Sequence, residues 1–199
     1  MGGNPFSRGT RGAELYERIV HALPRLALVH SPGQRQSSLI NEIRTCPLQE
    51  LLGSPIRHAP MGRAVQAGLF LRAEGWDEAH HTAQGLSTRE GSYWHGIVHR
   101  REPDVSNAKY WFRHVGTHPV FDDLWRFVKS ATNIHDSSTW RRLASSGAWD
   151  PFAFIDLCVE CATGTNRIAE AELEALQDEE ITLLLQYCLQ QAVGGAFEL

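Results

Sequence analysis

Apolar positions along this chain recur at helical spacing. Leu15, Ile19, Ala22, Leu23 and Leu26 form one stripe, with Pro24 ending or bending the helix that carries it. Leu39, Ile40 and Ile43 form a second, closed by Pro47, and residues 55–60, bounded by prolines, read as a connector. Met61, Ala64, Val65, Gly68 and Leu71 begin a third stripe, which Gly75 follows. Trp76 and Asp77 read as a staple residue and an N-cap, opening a short helix that ends near Gly85. Residues 87–90, Ser-Thr-Arg-Glu, have capping-box spacing with Ser87 as N-cap. The helix they open runs to about Glu102, because Pro103 disfavours helix in the residue before it.

Asp104 caps the next helix, which carries Ala108, Trp111, Phe112 and Val115 and stops at Gly116. Phe121, Leu124, Trp125 and Val128 mark another, from Pro119 to about Ala131. Residues 133–146 are polar and read as a long loop with one short helix around Trp140. Asp150-Pro151 places an N-cap before a proline at the first helical position. Ile181, Leu184, Leu185, Cys188, Leu189 and Ala192 form the cleanest stripe, stopped by Gly194-Gly195. The pattern predicts an all-α fold: an irregular helical bundle or stacked helix pairs, with at least six helices. Residues 1–12, rich in glycine, are expected as a disordered arm, and residues 13–199 as a single helical domain.

Composition narrows the function classes. The 199 residues are 42% apolar and 21% charged, with a net charge of −4, so no global basic field favours nucleic acid or an acidic membrane. No apolar run approaches the roughly 20 residues that span a bilayer. The opening residues lack the apolar core of a secretory signal, and a cytoplasmic location is expected. The acidic run from Glu170 to Glu180 reads as a solvated helix face. Four cysteines are too scattered for a disulfide framework. Cys158 and Cys161, a Cys-x-x-Cys pair inside an apolar helical stretch, read as buried structural thiols.

Chemistry concentrates in residues 92–119. Six of the ten histidines lie between His80 and His118, interleaved with Trp, Tyr and Arg. At about 100° per residue, His95, His99 and Glu102 fall within about 60° of one another, bordering the apolar face centred on Trp94. Two histidines four apart on a helix can share one ion, with a carboxylate one turn on as third ligand. His95, His99 and Glu102 are therefore the candidate ligands for a divalent metal such as zinc. His80, Arg101, His114 and His118 are candidate ligand-binding residues around them. Arg101 points toward the apolar side, where its charge calls for a carboxylate partner, and Arg100 points away toward solvent or another helix. Border histidines hydrogen-bonded to their neighbours are the competing structural reading.

Residues 76–80, 91–104, 107–113 and 118–121, including Ser-Tyr-Trp-His-Gly-Ile-Val-His-Arg-Arg-Glu-Pro-Asp and Asn-Ala-Lys-Tyr-Trp-Phe-Arg, resemble a group of uncharacterised bacterial and fungal proteins. The resemblance implies a shared helical unit and brings no activity with it. Residues 107–112 also resemble one helix of a tetratricopeptide or Sel1-like repeat. Two functional expectations follow. One is a pocket for a metal or small molecule between the 87–102 helix and its neighbours. The other is a non-catalytic helical module that binds a protein partner. No reaction is assigned.

Overall fold

The computed structural model describes residues 3–134, 138–164 and 170–194. They form eleven α-helices and no strand, which establishes the all-α class. In chain order these are α1 (Arg11–Ala22), α2 (Ser37–Thr45), α3 (Leu48–Leu52), α4 (Ala59–Arg72), α5 (Trp76–Gln84) and α6 (Arg89–Arg101). There follow α7 (Val105–Val115), α8 (Val120–Ile134), α9 (Ser138–Ala144), α10 (Pro151–Ala162) and α11 (Glu170–Val193). No helix among the described residues is long and apolar enough to cross a membrane.

Local chemistry sets most helix starts. Asp104 accepts from the Asn107 N–H at 3.1 Å, and Asp150 accepts from Phe152 N–H at 2.9 Å with Pro151 opening α10, both as the sequence implies. Two starts differ. The cap of α6 is Thr88, whose hydroxyl accepts from Gly91 N–H at 3.1 Å, one residue later than expected. Glu90 does not close a capping box on Ser87, because its carboxylate turns inward, 3.6 Å from His118 Nε2. α5 starts one residue before Asp77, which sits in the first turn, where its charge complements the exposed N–H groups.

Residues 3–12 are ordered against the bundle, contrary to the expected arm. Phe6 is buried beside Tyr16, Asn4 Nδ2 donates to Ala13 O at 3.1 Å, and Thr10 caps α1. Gly12 serves close packing: a Cβ there would lie 2.4 Å from Leu51 O. Met1 and Gly2 lie outside the described residues. Within 133–146 the short helix expected around Trp140 is α9, with Trp140 buried, while residues 133–134 belong to the end of α8 and not to a loop; residues 135–137 lie outside the described residues.

α4, α6 and α11 form the centre, with α5, α7, α8 and α10 packed around them. These central helices are covered on more than one face, so single stripes understate their burial. In α4 every residue from Ala64 to Arg72 is buried, and in α6 every residue from Tyr93 to Arg101. Gly68 lets α4 approach both neighbours: a Cβ there would meet Leu185 of α11 and Trp94 of α6 at 2.6 Å. α11 departs from the solvated acidic face expected for it, since Glu180 is fully buried and Asp178 and Glu179 are partly covered.

Two buried ion pairs hold α6 in place. Arg100 Nη2 donates to Glu180 Oε2 of α11 at 2.5 Å, with its guanidinium carbon 4.3 Å from the centre of the Phe154 ring. Tyr93 donates to the other oxygen of Glu180 at 3.1 Å. Arg100 is thus an interior strut and not a solvent-facing charge, because α11 and α10 cover that side of α6. Arg101 Nη2 donates to Glu74 Oε1 at 2.5 Å and to Ala27 O at 3.1 Å. All four charged side chains are 0% exposed.

Glu74 has a left-handed backbone, φ +57°. It occupies the position just past α4 that ordinarily favours glycine, with Gly75 N–H donating to Phe70 O at 2.8 Å and Glu74 N–H to Leu71 O at 3.1 Å. A non-glycine residue there costs roughly 1–2 kcal/mol. The carboxylate compensates by reaching Arg101 and, at 2.8 Å, His30 Nδ1. Glu74→Gly therefore separates the two effects. The backbone gains, but a fully buried Arg101 loses its counter-ion, a loss of about 3–5 kcal/mol. Urea denaturation should show net destabilisation; equal or greater stability would mean that the ion pair does not anchor α6.

Candidate metal centre

The third side of α6 faces α5 and α7. α5 is fixed there by Glu78, which accepts from Arg35 at 2.9 and 2.6 Å and from Arg44, and by burial of Ala79 and Ala83. On this framework His80 of α5 meets His95 and His99 of α6. His80 and His95 oppose their Nε2 atoms at 3.0 Å. The ligand atoms of all three imidazoles lie within 4.8 Å of one another.

Aromatic stacking orients each ring. His95 lies between His99, at 4.8 Å and 19°, and Trp111 of α7, at 4.1 Å and 21°. His80 stacks on Trp76 at 5.1 Å and 16°, and stands edge-on to both partners, at 89° to His95 and 90° to His99. The rings are thus held by packing, before any ion is considered.

Glu102, the cap of α6, is within 3.1 Å of His99 Nδ1. A carboxylate on Nδ1 fixes the tautomer that presents Nε2 as a lone pair, the usual outer-shell partner of a ligating histidine. Glu102 and Asp104 also form a second group with His99 that could hold an ion. Glu102 is 45% exposed and Asp104 is engaged as the α7 cap, so that group is the wetter of the two.

Burial favours the neutral form of His95 and His80. Desolvation, reinforced by His80 and His99, lowers the His95 pKa from 6.5 to about 4. His80 is lowered as well, first by desolvation and then by His99. Neutral imidazoles can share one proton across the Nε2–Nε2 contact or donate lone pairs to a cation. For tetrahedral zinc, with Zn–N of about 2.0–2.1 Å, ligand nitrogens sit roughly 3.3 Å apart, close to the observed 3.0 Å.

The other sequence candidates fall elsewhere. Arg101 is occupied by Glu74 and Ala27 O and has no part in the histidine cluster. His114 is exposed on α7, its Nδ1 2.9 Å from Tyr110 O and its ring 5.8 Å from that of Trp111. His118 is buried beside Glu90, Tyr93 and Tyr187, toward the opposite end of α6. Gly116, with φ +63°, turns the chain between these two histidines. Sequence spacing could pair His95 with His99 but not with His80, 15 residues away on another helix. Trp76 and Trp111, read there as a staple and a core residue, form the walls.

A pH titration follows from these shifts. The folded pKa of His95 lies below the unfolded value of 6.5, so the stability tied to its neutrality is complete above 6.5 and is lost as pH falls toward about 4. NMR titration should find one imidazole still neutral at pH 5. If all the histidines titrated near 6.5, the trio would be more hydrated than its packing implies.

No protein-family model, curated protein or solved structure matches the chain. Function must therefore be read from the chemistry of the site.

Proposed function

We propose that this protein binds a divalent transition metal, zinc in the first instance, through His80, His95 and His99. The observation that carries the proposal is the convergence of three imidazoles from two helices, with their ligand atoms within 4.8 Å. Three imidazole nitrogen donors suit zinc and its first-row neighbours better than magnesium or calcium, which prefer oxygen. Glu102 holds His99 from its Nδ1 side and is not itself in this trio, so the third ligand is His80 in place of the carboxylate suggested by helical spacing.

Three protein ligands leave a fourth tetrahedral position for water or a small anion. Such a metal can act as a Lewis acid or hold an activated water, and that is the chemistry the ion would supply. The chain's own contribution is to place the nitrogens, keep His95 deprotonated and exclude water with Trp76 and Trp111. Partner binding has less support. Among the described residues the exposed large hydrophobic side chains are Val29 and Tyr110, single exposures that need no partner to explain them.

Elemental analysis of the untagged full chain, followed by zinc titration of metal-stripped protein, tests the reading. One equivalent of zinc should bind and raise the unfolding temperature. No saturable binding would sink the proposal. His80 is half-buried, so His80→Ala should cost only about 1–2 kcal/mol. It should nevertheless weaken zinc binding at least tenfold, the cost of one lost ligand. Trp94→Ala offers the contrast: its side chain is 0% exposed, and its removal should cost about 3–5 kcal/mol. Equal zinc affinity in His80→Ala and the parent would exclude His80 as a ligand.

A further inference from the structure

A cavity of about 520 Å³ shares no lining residue with the histidine cluster; it is bounded by α1, the turn after it, the end of α4, α8 and α11. Its volume is in the range of small-molecule sites. Val20, Pro24, Phe127 and Ala175 supply apolar wall. The Tyr16 hydroxyl lies 3.1 Å from Thr182 Oγ1, tying α1 to α11 along the lining.

Two kinds of charge line the same space. Glu17, Asp178 and Glu179 are acidic; Arg72 and Arg25 are basic. Arg72 is 3% exposed, and its Nη2 donates to Leu23 O at 2.8 Å. Its Nη1 is buried without a hydrogen-bond partner, an arrangement that leaves a charged donor unsatisfied. Asp178 does not cap that nitrogen: its Oδ1 is 4.0 Å from Nη2 and accepts from Leu26 N–H at 3.3 Å. Burial raises the Asp178 carboxyl despite the opposing pull of Arg72, and burial raises Glu179 too. The cavity therefore sets basic side chains, Arg72 and Arg25, opposite in charge to Asp178 and Glu179 around an apolar wall.

We propose that this cavity binds a small zwitterion with an apolar body, of the class of apolar α-amino acids. The carboxylate of such a ligand lies on the arginine side of the cavity, against Arg25 and the guanidinium of Arg72, its ammonium lies against Asp178 and Glu179, and its side chain packs on Phe127 and Val20. A charge-assisted hydrogen bond at each end gives polarity as well as affinity. Neither a simple amine nor a simple carboxylate satisfies both ends.

Isothermal titration of the full chain with the apolar protein amino acids, from alanine to phenylalanine and tryptophan, reads this directly. Two analogues of phenylalanine complete the set: 2-phenylethylamine, which lacks the carboxylate, and 3-phenylpropionate, which lacks the ammonium. At least one amino acid should saturate the protein, and each single-charge analogue of phenylalanine should bind at least tenfold more weakly than phenylalanine. Asp178→Asn should weaken amino-acid binding at least tenfold. Ala175→Trp should abolish it by filling the cavity, while zinc binding and helical circular dichroism persist as evidence of folding. Absence of saturable binding by every amino acid would overturn the proposal. So would binding that survives Ala175→Trp, or an analogue with one charge binding as tightly as phenylalanine.

Discussion

Two adjacent arginines that leave α6 in different directions, each ending on a fully buried carboxylate, are the constraint on which the centre of this structure depends. Arg100 reaches Glu180 on α11, and Arg101 reaches Glu74 at the end of α4. A buried pair contributes little net stability compared with well-packed apolar groups, but leaving one partner uncompensated is expensive. The pairs therefore act mainly on registry. A one-residue rotation of α6 would strand up to four charges in the core. The left-handed backbone at Glu74 fits this account, because a conformation that favours glycine is accepted where a carboxylate is needed.

With two sides of α6 fixed in this way, its remaining side is directed at α5 and α7. Stacking by Trp76 and Trp111 limits how the imidazoles can turn. Burial keeps His95 neutral, and Glu102 holds His99 by its Nδ1. These are properties that a preorganised nitrogen-donor site requires: fixed rings and available lone pairs. The arrangement also explains why so many aromatic and basic residues occupy so short a stretch of chain. Some belong to the core, some to the struts, and only His80, His95 and His99 converge.

The class of fold was legible because local signals agreed with one another. The caps at Asp104 and Asp150 precede apolar stripes that do become helices, and Gly116 ends α7 as expected. Legibility failed where a helix is covered from several sides. A helical wheel assigns one buried face, so it left Arg100 open between solvent and another helix and put His95 and His99 at a border, although all three are buried in α6. Partners distant in sequence were equally hidden: Glu74 lies 27 residues before Arg101, and Glu180 lies 80 residues after Arg100. The N-terminal glycines were misread as a sign of disorder, since nothing local reveals that Gly12 packs directly on Leu51.

The central claim is that α6, held by its struts, and α5, held by Glu78, bring three imidazoles to one ion. X-ray absorption at the zinc edge of the loaded protein tests it most directly, because the spectrum reports ligand type, number and distance. The account expects three histidine nitrogens at about 2.0–2.1 Å with one oxygen donor completing the shell. A shell of oxygen alone, a sulfur contribution, or only one imidazole would contradict it.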